Sequence, residues 1–392
     1  MIPRSAILCL GLSQLVSWGI SYYLIGVFGE LIAADLGWSR EAVYGGFSLA
    51  LVVMGLCSPF AGTLVDKRGG KSAMVAGALL NAGGCLLMAT SRDHLTYLAA
   101  WAILGAGMRL SLYDAAFAAL ARAGGPQARL PMAQITLLGG LASTVYWPFG
   151  SYLADCLGWR GALYIYAVIA LLVVPLHLTL PTARYSGQAA ANTAPAATRP
   201  PRERQRLIAA LLYAAIVAIT NFLNSGMSAH MIAILSGLGL GAAAAVNTAT
   251  LRGIGQSLAR LCDVLFGKTL HPLTLNLAST AVLPLAFMTA YLASGSWIAA
   301  GAFAFFYGAG NGLVTITRGT LPLVLFDHRT YGSFVGRLIA PSFLFSAAAP
   351  LVYAKVISTT GEEGALLLSV VLATVTVLAA AALKLSFGWR TS

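Results

Sequence analysis

The residues able to do chemistry in this sequence are few, and their setting narrows that chemistry to holding charge and moving protons. Arg109, Asp114, Arg252, Arg318 and His230 are ionisable groups set inside apolar stretches. A charge at the centre of a bilayer costs about 2.5 kcal/mol or more even on a lenient insertion scale, so each needs a partner, water or a role. Three arginines with one aspartate leave a net positive region, which suits an anionic substrate; the alternative is that these charges tie helices together or form a gate. Arg109 and Asp114 stand five residues apart and point about 140° apart on a continuous helix. Their partners are therefore expected on other helices. Asp114 is the acid placed to exchange a proton, and His230, which titrates near neutrality, is a second candidate. Tyr22, Tyr23, Asn221, Asn224 and Asn311 supply a polar lining, or else hydrogen bonds between helices. GxxxxGK[ST], HExxH and GxSxG are all missing, so neither ATP-driven nor hydrolytic chemistry is expected. No enzyme activity and no cofactor are implied.

The elements that position these groups follow from composition. The chain has 392 residues, 58% hydrophobic and 9% charged, with a mean hydropathy of +0.81. That excludes a soluble domain. A bilayer core of about 30 Å needs roughly 20 apolar residues per helix. Apolar stretches lie at roughly 6–33, 42–65, 72–90, 95–120, 132–155 and 161–181, then at 207–235, 241–265, 270–294, 297–325, 333–358 and 365–387. Nothing alternates as a barrel strand does, so the expected fold is all-α, with twelve transmembrane helices. The first stretch shows no cleavage-site pattern and is read as a retained helix. The five cysteines form no CxxC, and most sit within apolar stretches, so neither a disulfide nor a metal site is expected.

One long polar segment, 182–206, is rich in Ala, Pro, Thr and Arg and reads as a linker. It divides the chain into 1–181 and 207–392. The net charge of +12 falls in short turns, not along one face, so no nucleic-acid partner is implied. Arg4, Lys67, Arg68, Lys71, Arg122, Arg129, the linker arginines, Arg260, Lys268, Arg329, Arg337 and Lys384 all fall on one side of a twelve-span topology. The other side holds Arg40, Arg92, Arg160 and Lys355. The positive-inside rule then puts both termini and the linker in the cytoplasm of a bacterial cell, with the chain in the inner membrane.

Two weak traces of duplication pair spans six apart. Asp66 to Lys71 (DKRGGK) after the second span is echoed by Asp263 to Lys268 (DVLFGK) after the eighth, and Gly105-Ala106-Gly107 by Gly308-Ala309-Gly310. The stretch GTLVDKRGGK, Gly62 to Lys71, resembles the signature of the major facilitator superfamily, G-x-L-x-D-R-x-G-R-K/R. Gly62, Leu64, Asp66, Gly69 and Lys71 match, Lys67 is a conservative change, and Gly70 stands where arginine is usual. The resemblance implies two six-helix bundles that move by alternating access. It also implies a glycine for close helix approach and a charge cluster latching the halves, to which Arg260, Asp263, Gly267 and Lys268 would contribute in the second half. Gly37-Trp38-Ser39-Arg40 and Gly158-Trp159-Arg160 look like the monocarboxylate and oxalate-formate branch, although a Gly-Trp turn also serves as an interfacial anchor. In that branch an arginine on the eighth helix holds a carboxylate, with an aspartate four residues earlier as proton carrier. Arg252 fills the first role, but Thr248 occupies the second position. The segments Met108 to Leu120 and Gly310 to Leu323 look like bacterial exporters of arsenicals and other toxic compounds. The expected protein is a monomeric secondary transporter of a small organic anion with protons, the alternative being an efflux pump. Pro148 and Pro350 are expected to bend helices that rock.

Overall fold

Hydrocarbon offers no partner to an exposed peptide group, so a chain this apolar must close its hydrogen bonds within each segment, which favours helices. The computed structural model describes residues 2–124, 128–181, 203–266, 270–292, 296–325 and 331–387, and among them there is no strand. Residues 182–202 of the expected linker, and Gly267 and Lys268, lie outside the described residues.

Before the linker, α1 (Arg4–Ser17) passes through a π-helical turn (Trp18–Tyr22) into α2 (Leu24–Leu36). There follow α3 (Arg40–Leu56), α4 (Ser58–Arg68), α5 (Gly70–Thr90), α6 (His94–Ser111), α7 (Tyr113–Gly124), α8 (Arg129–Gly140), α9 (Ala142–Leu172) and α10 (Val174–Leu178). After the linker come α11 (Glu203–Gly237), α12 (Ala242–Ala249), α13 (Leu251–Phe266), α14 (Pro272–Leu292), α15 (Trp297–Leu325) and α16 (Tyr331–Phe387). Eight helical stretches among the described residues are long and apolar enough to cross a bilayer. Two of them, 130–178 and 341–387, are much longer than one crossing. Each is interrupted by a glycine in a backbone conformation that a side chain resists, Gly158 (φ 69°) and Gly361 (φ 73°). Both breaks fall where the sequence places a turn between apolar stretches. At the α5–α6 turn Asp93 accepts the Thr96 N–H at 2.9 Å, which caps α6 and holds the Asp93 carboxyl below the usual carboxylate range.

Helices in lipid gain from close fit more than from apolar burial, so small residues mark their contacts. A Cβ on Gly105 would lie 2.4 Å from the Ala50 carbonyl of α3, and one on Gly107 2.3 Å from the Asn81 side chain of α5. The echo after the linker does the same: a Cβ on Gly308 would lie 2.0 Å from the Arg252 carbonyl of α13, and one on Gly310 2.9 Å from Leu283 of α14. In both places a helix uses neighbouring glycines to approach the two helices preceding it. The Gly308 contact is backbone against backbone, so no rotamer can relieve it. Gly308→Ala is expected to cost about 1–3 kcal/mol or more by overpacking, seen as a lower midpoint of thermal unfolding in detergent. Gly83→Ala, at a position with open space, is the control and should leave the midpoint within error.

The expected close approach at the charged turn falls on a different glycine. Among the described residues nothing lies within 4 Å of a Cβ built on Gly62, whereas one on Gly70 would sit 2.1 Å from the Ala119 Cβ of α7. The small residue standing where an arginine is usual thus lets α5 lie against α7. Across the two parts of the chain, α3 packs on α16, α2 on α11, α8 on α13 and α9 on α12.

Candidate functional site

Arg252 is fully buried, in the first turn of α13. Its Nη2 donates to Asn224 Oδ1 at 2.8 Å and to Ser228 Oγ at 2.9 Å, one turn apart on α11. Asn311 Nδ2 of α15 donates to the same Asn224 oxygen at 3.0 Å. The rings of Tyr23, Trp147 and Tyr307 have centroids 5.4, 5.7 and 5.3 Å from the guanidinium carbon. Aromatic faces attract a cation but supply no charge. Among the described residues no carboxylate is paired with it, and its Nε and Nη1 are buried without a hydrogen-bond partner. A buried cation without a paired anion, with donors left over, has the chemistry to receive one.

Helix interruptions surround this centre. The π turn delivers Tyr22 and Tyr23, a tightened turn at Thr250, still in the helical region (φ −60°, ψ −29°), precedes Arg252, and an extended residue, Leu112 (ψ −172°), separates α6 from α7. At each of these three places a side chain from another helix donates to a nearby carbonyl. Trp147 Nε1 donates to Tyr23 O at 3.3 Å, Thr144 Oγ1 to Thr250 O at 2.8 Å and Gln14 Nε2 to Ser111 O at 2.8 Å. The Ser111 carbonyl at the Leu112 break is thus satisfied from another helix, while the Tyr23 and Thr250 carbonyls also accept from Gly26 N and Gly253 N of their own segments.

The break at Leu112 overturns one expectation. Arg109 and Asp114, 140° apart on an unbroken helix, form an ion pair, because the extended residue turns α7 against α6 and brings the two side chains together. Asp114 therefore meets neither Arg252 nor Arg318. The pair is partly open, with Arg109 15% and Asp114 39% exposed, and the Arg109 guanidinium lies 5.9 Å from the Phe343 ring of α16. An aromatic row joins it to the Arg252 centre: Trp18 lies 6.0 Å from Tyr23 on one side and 5.1 Å from Tyr113, next to Asp114, on the other. Tyr22, at 4.8 Å from Trp18, is also in the row and sits beside Asn224.

The other nominated residues divide. Arg318 Nη1 reaches Asn221 Oδ1 at 3.4 Å, and Asn221 Nδ2 donates to Ser342 at 3.1 Å, forming a separate cluster on α11, α15 and α16. His230 lies apart from Arg252, its Nε2 at 2.9 Å from the Pro350 carbonyl. Arg260 is buried, donating to Thr136 O of α8 at 2.7 Å and Gly312 O of α15 at 3.4 Å, and Ser257 donates to Leu137 O at 2.9 Å. This ties α13 to α8 across the two parts of the chain. In the charged turn Gly69 has φ 86°, Lys67 and Arg68 are exposed, and Arg122 donates to Val65 O at 2.6 Å. The Asp66 side chain is not among those described, and Asp263 is engaged in a contact. The Gly-Trp turns are packing devices: Trp38 stacks on His94 at 3.9 Å, and Trp159 Nε1 and Arg160 both reach Asp35.

Sequence reasoning missed Ser228, Trp18, Trp147 and Tyr307. Ser228 had a signal, since it stands four residues from Asn224 on the same helix face. The aromatics had none, because an apolar span reads the same whether its rings face lipid or a cation.

Residues 10–350 match the profile of the Major Facilitator Superfamily. An "MFS-type efflux pump" of Mycolicibacterium smegmatis is 34% identical over 195 residues, 48% of this chain and 44% of that protein. "Monocarboxylate transporter 13" of Bos taurus is 29% identical over 160 residues, 40% of this chain and 35% of its own length, and its Rattus norvegicus counterpart is 29% identical over 176 residues, covering 43% and 39%. These matches span less than half of each relative. The crystal structure of a point mutant of the nucleoside transporter NupG superposes with a TM-score of 0.75 over 96% of this chain and 99% of that one at 13% identity, a likeness of fold.

Proposed function

Since the chain belongs to the major facilitator superfamily, whose fold is that of membrane transporters, we propose that it is a secondary transporter carrying a small organic anion, held at Arg252, by alternating access. The observation that carries this reading is the buried Arg252, with two donor nitrogens left over and no paired carboxylate among the described residues. A carboxylate seated there would accept from Nη1–H or Nε–H, which diverge on either side of Cδ, while Asn224 and Ser228 hold Nη2 in place and Asn311 braces Asn224. Broken helices around a mid-depth charge are the usual construction of transporter sites. The identity with a monocarboxylate transporter agrees with this chemistry.

Splitting the two over-long stretches at Gly158 and Gly361 turns the eight into ten, and α3–α4 and α12–α13 supply the two further spans of a twelve-helix reading, with six-helix bundles at 1–181 and 207–392 joined by the linker at 182–206. By the bias of Lys and Arg, both termini and the linker are cytoplasmic, in a bacterial inner membrane. The Asp66 to Lys71 turn and its partner around Arg260 and Asp263 then serve the conformational cycle at the cytoplasmic rim, away from the substrate. Arg109 and Asp114 are the proton-sensitive pair, and the protein acts as a monomer.

The identity with an efflux pump supports a second reading, export of toxic compounds including arsenicals. Purified protein in liposomes, tested by counterflow with labelled lactate, pyruvate, oxalate and an aromatic arsenical, separates the two. The first reading expects exchange of one or more carboxylates. Exchange of the arsenical alone would favour the second, and exchange of none of the four would remove the anion assignment.

A further inference from the structure

His230 occupies a contact that neither the anion site nor the Arg109–Asp114 pair uses. It is fully buried on α11, and its ring lies 4.0 Å from that of Tyr44 on α3 and 6.1 Å from that of Tyr353 on α16. The Tyr44 hydroxyl donates to Glu30 Oε1 at 3.1 Å, and Glu30 is paired with Arg40 at 3.0 Å, with both of these charged side chains about a third or more exposed. The histidine stands after the linker and the Tyr44–Glu30–Arg40 group before it, so this contact joins the two parts of the chain. Close by, a Cβ on Gly26 would lie 2.6 Å from the Ser228 carbonyl, and Ser358 donates to Glu41 at 3.0 Å. These contacts close the end of the bundle opposite Arg4 and Arg260.

The protonation state of the ring can be read from its partners. A carbonyl only accepts, so the Nε2 facing Pro350 carries the hydrogen and Nδ1 bears the lone pair. Nδ1 is buried without a partner. The groups facing the ring are Tyr44 and Arg40 on α3, Glu30 on α2 and Tyr353 on α16. None is bonded to Nδ1: the Glu30 carboxylate is held by Arg40 and by the donating Tyr44 hydroxyl, and Arg40 is itself a cation. A proton arriving on Nδ1 would create a buried charge with no counter-ion, and two ring faces return less than that desolvation takes.

We propose that His230 is a proton-operated clasp at this end of the transporter: the neutral imidazole fits between the rings and holds the halves shut, and protonation at Nδ1 releases it. This rests on the alternating-access reading but not on the identity of the substrate. Lower pH then favours opening, because the parted halves let water solvate the imidazolium. The site adds a pH-sensed step separate from the Arg109–Asp114 pair.

The test needs no substrate. Nitroxide labels on Arg92→Cys and Glu363→Cys, both exposed at this end, go into a variant whose five native cysteines are alanine. Pulsed electron resonance in nanodiscs then gives the distance distribution between about pH 8 and about pH 5. The parent is expected to show a longer-distance population rising roughly ten-fold toward the acid end. His230→Gln, whose amide N–H can still reach the Pro350 carbonyl but cannot be charged, should stay short at both values. His230→Arg, charged throughout, should show the long population at both. A parent without a pH response, a Gln variant that keeps one, or an Arg variant that stays short would overturn the proposal. Failure of every anion in counterflow would remove the anion assignment and leave this result standing.

Discussion

Arg252→Met is expected to abolish measurable binding of the transported anion while leaving the fold at least as stable as the parent. Removing one member of a buried, hydrogen-bonded charge pair costs about 2–5 kcal/mol of affinity, roughly 30-fold to several thousand-fold. The stability half of the expectation comes from what Met leaves behind. Asn224 Oδ1 keeps the Asn311 amide at 3.0 Å, and Ser228 keeps its own bond to Asn224 O at 2.6 Å. Neither is orphaned, and a buried cation with two unpartnered nitrogens has gone. Replacing an unpaired buried charge by an apolar side chain of similar length is neutral or stabilising. Arg252→Lys keeps the charge but loses the planar guanidinium that bonds Asn224 and Ser228 while presenting further donors, so affinity should fall with little change in the unfolding midpoint. Binding measured calorimetrically with whichever carboxylate exchanges in liposomes, beside the unfolding midpoint of each variant, decides the matter. Parental affinity in Arg252→Met would mean that the arginine is not the anchor. Lost stability with parental affinity would make it a packing residue.

How much of this was legible in the sequence differs by element. That the chain folds into long apolar helices was legible because hydropathy is a property of single residues summed over a window, and the glycine turns at Gly158 and Gly361 fell where apolar stretches ended. Arg252 was legible because a charge in hydrocarbon is conspicuous in isolation. Its surroundings were not, since Trp147 and Tyr307 belong to helices whose facing is set by tertiary packing. The Arg109–Asp114 pair was misread for a definite reason: spacing gives an angle only on a continuous helix, and the extended Leu112 discards that angle. No Pro or Gly marks that break. Its support comes from Gln14, almost a hundred residues away, which no local pattern could supply. The charged turn was legible as a motif, yet the glycine that admits the neighbouring helix is Gly70, the position that departs from the pattern.

The pairing of Asp114 with Arg109 sharpens the expectation for proton coupling. A carboxylate bound to a guanidinium holds it in place, and a proton on the carboxylate ends that hold, so the state of Asp114 decides whether Arg109 is tethered to α7 or free to turn toward the aromatic row. The Asp114 side chain is 39% exposed, open enough to exchange protons with water, and Tyr113, Trp18 and Tyr23 connect it to the anion site. Asp114→Asn mimics the protonated form permanently. It is expected to reduce accumulation driven by a proton gradient to the level reached without one, while exchange of labelled for unlabelled anion continues, because exchange needs no net proton movement. Asp114→Glu, one methylene longer but still titratable, should retain part of the gradient-driven accumulation. The Arg252 variants should lose both activities together, since they lack the substrate itself. Proteoliposomes carrying each variant, assayed for accumulation and for exchange in the same preparation, resolve these outcomes. Gradient-driven accumulation surviving in Asp114→Asn would strip this pair of its coupling role; if it were then lost in His230→Gln, the proton that drives transport would be the one taken at His230.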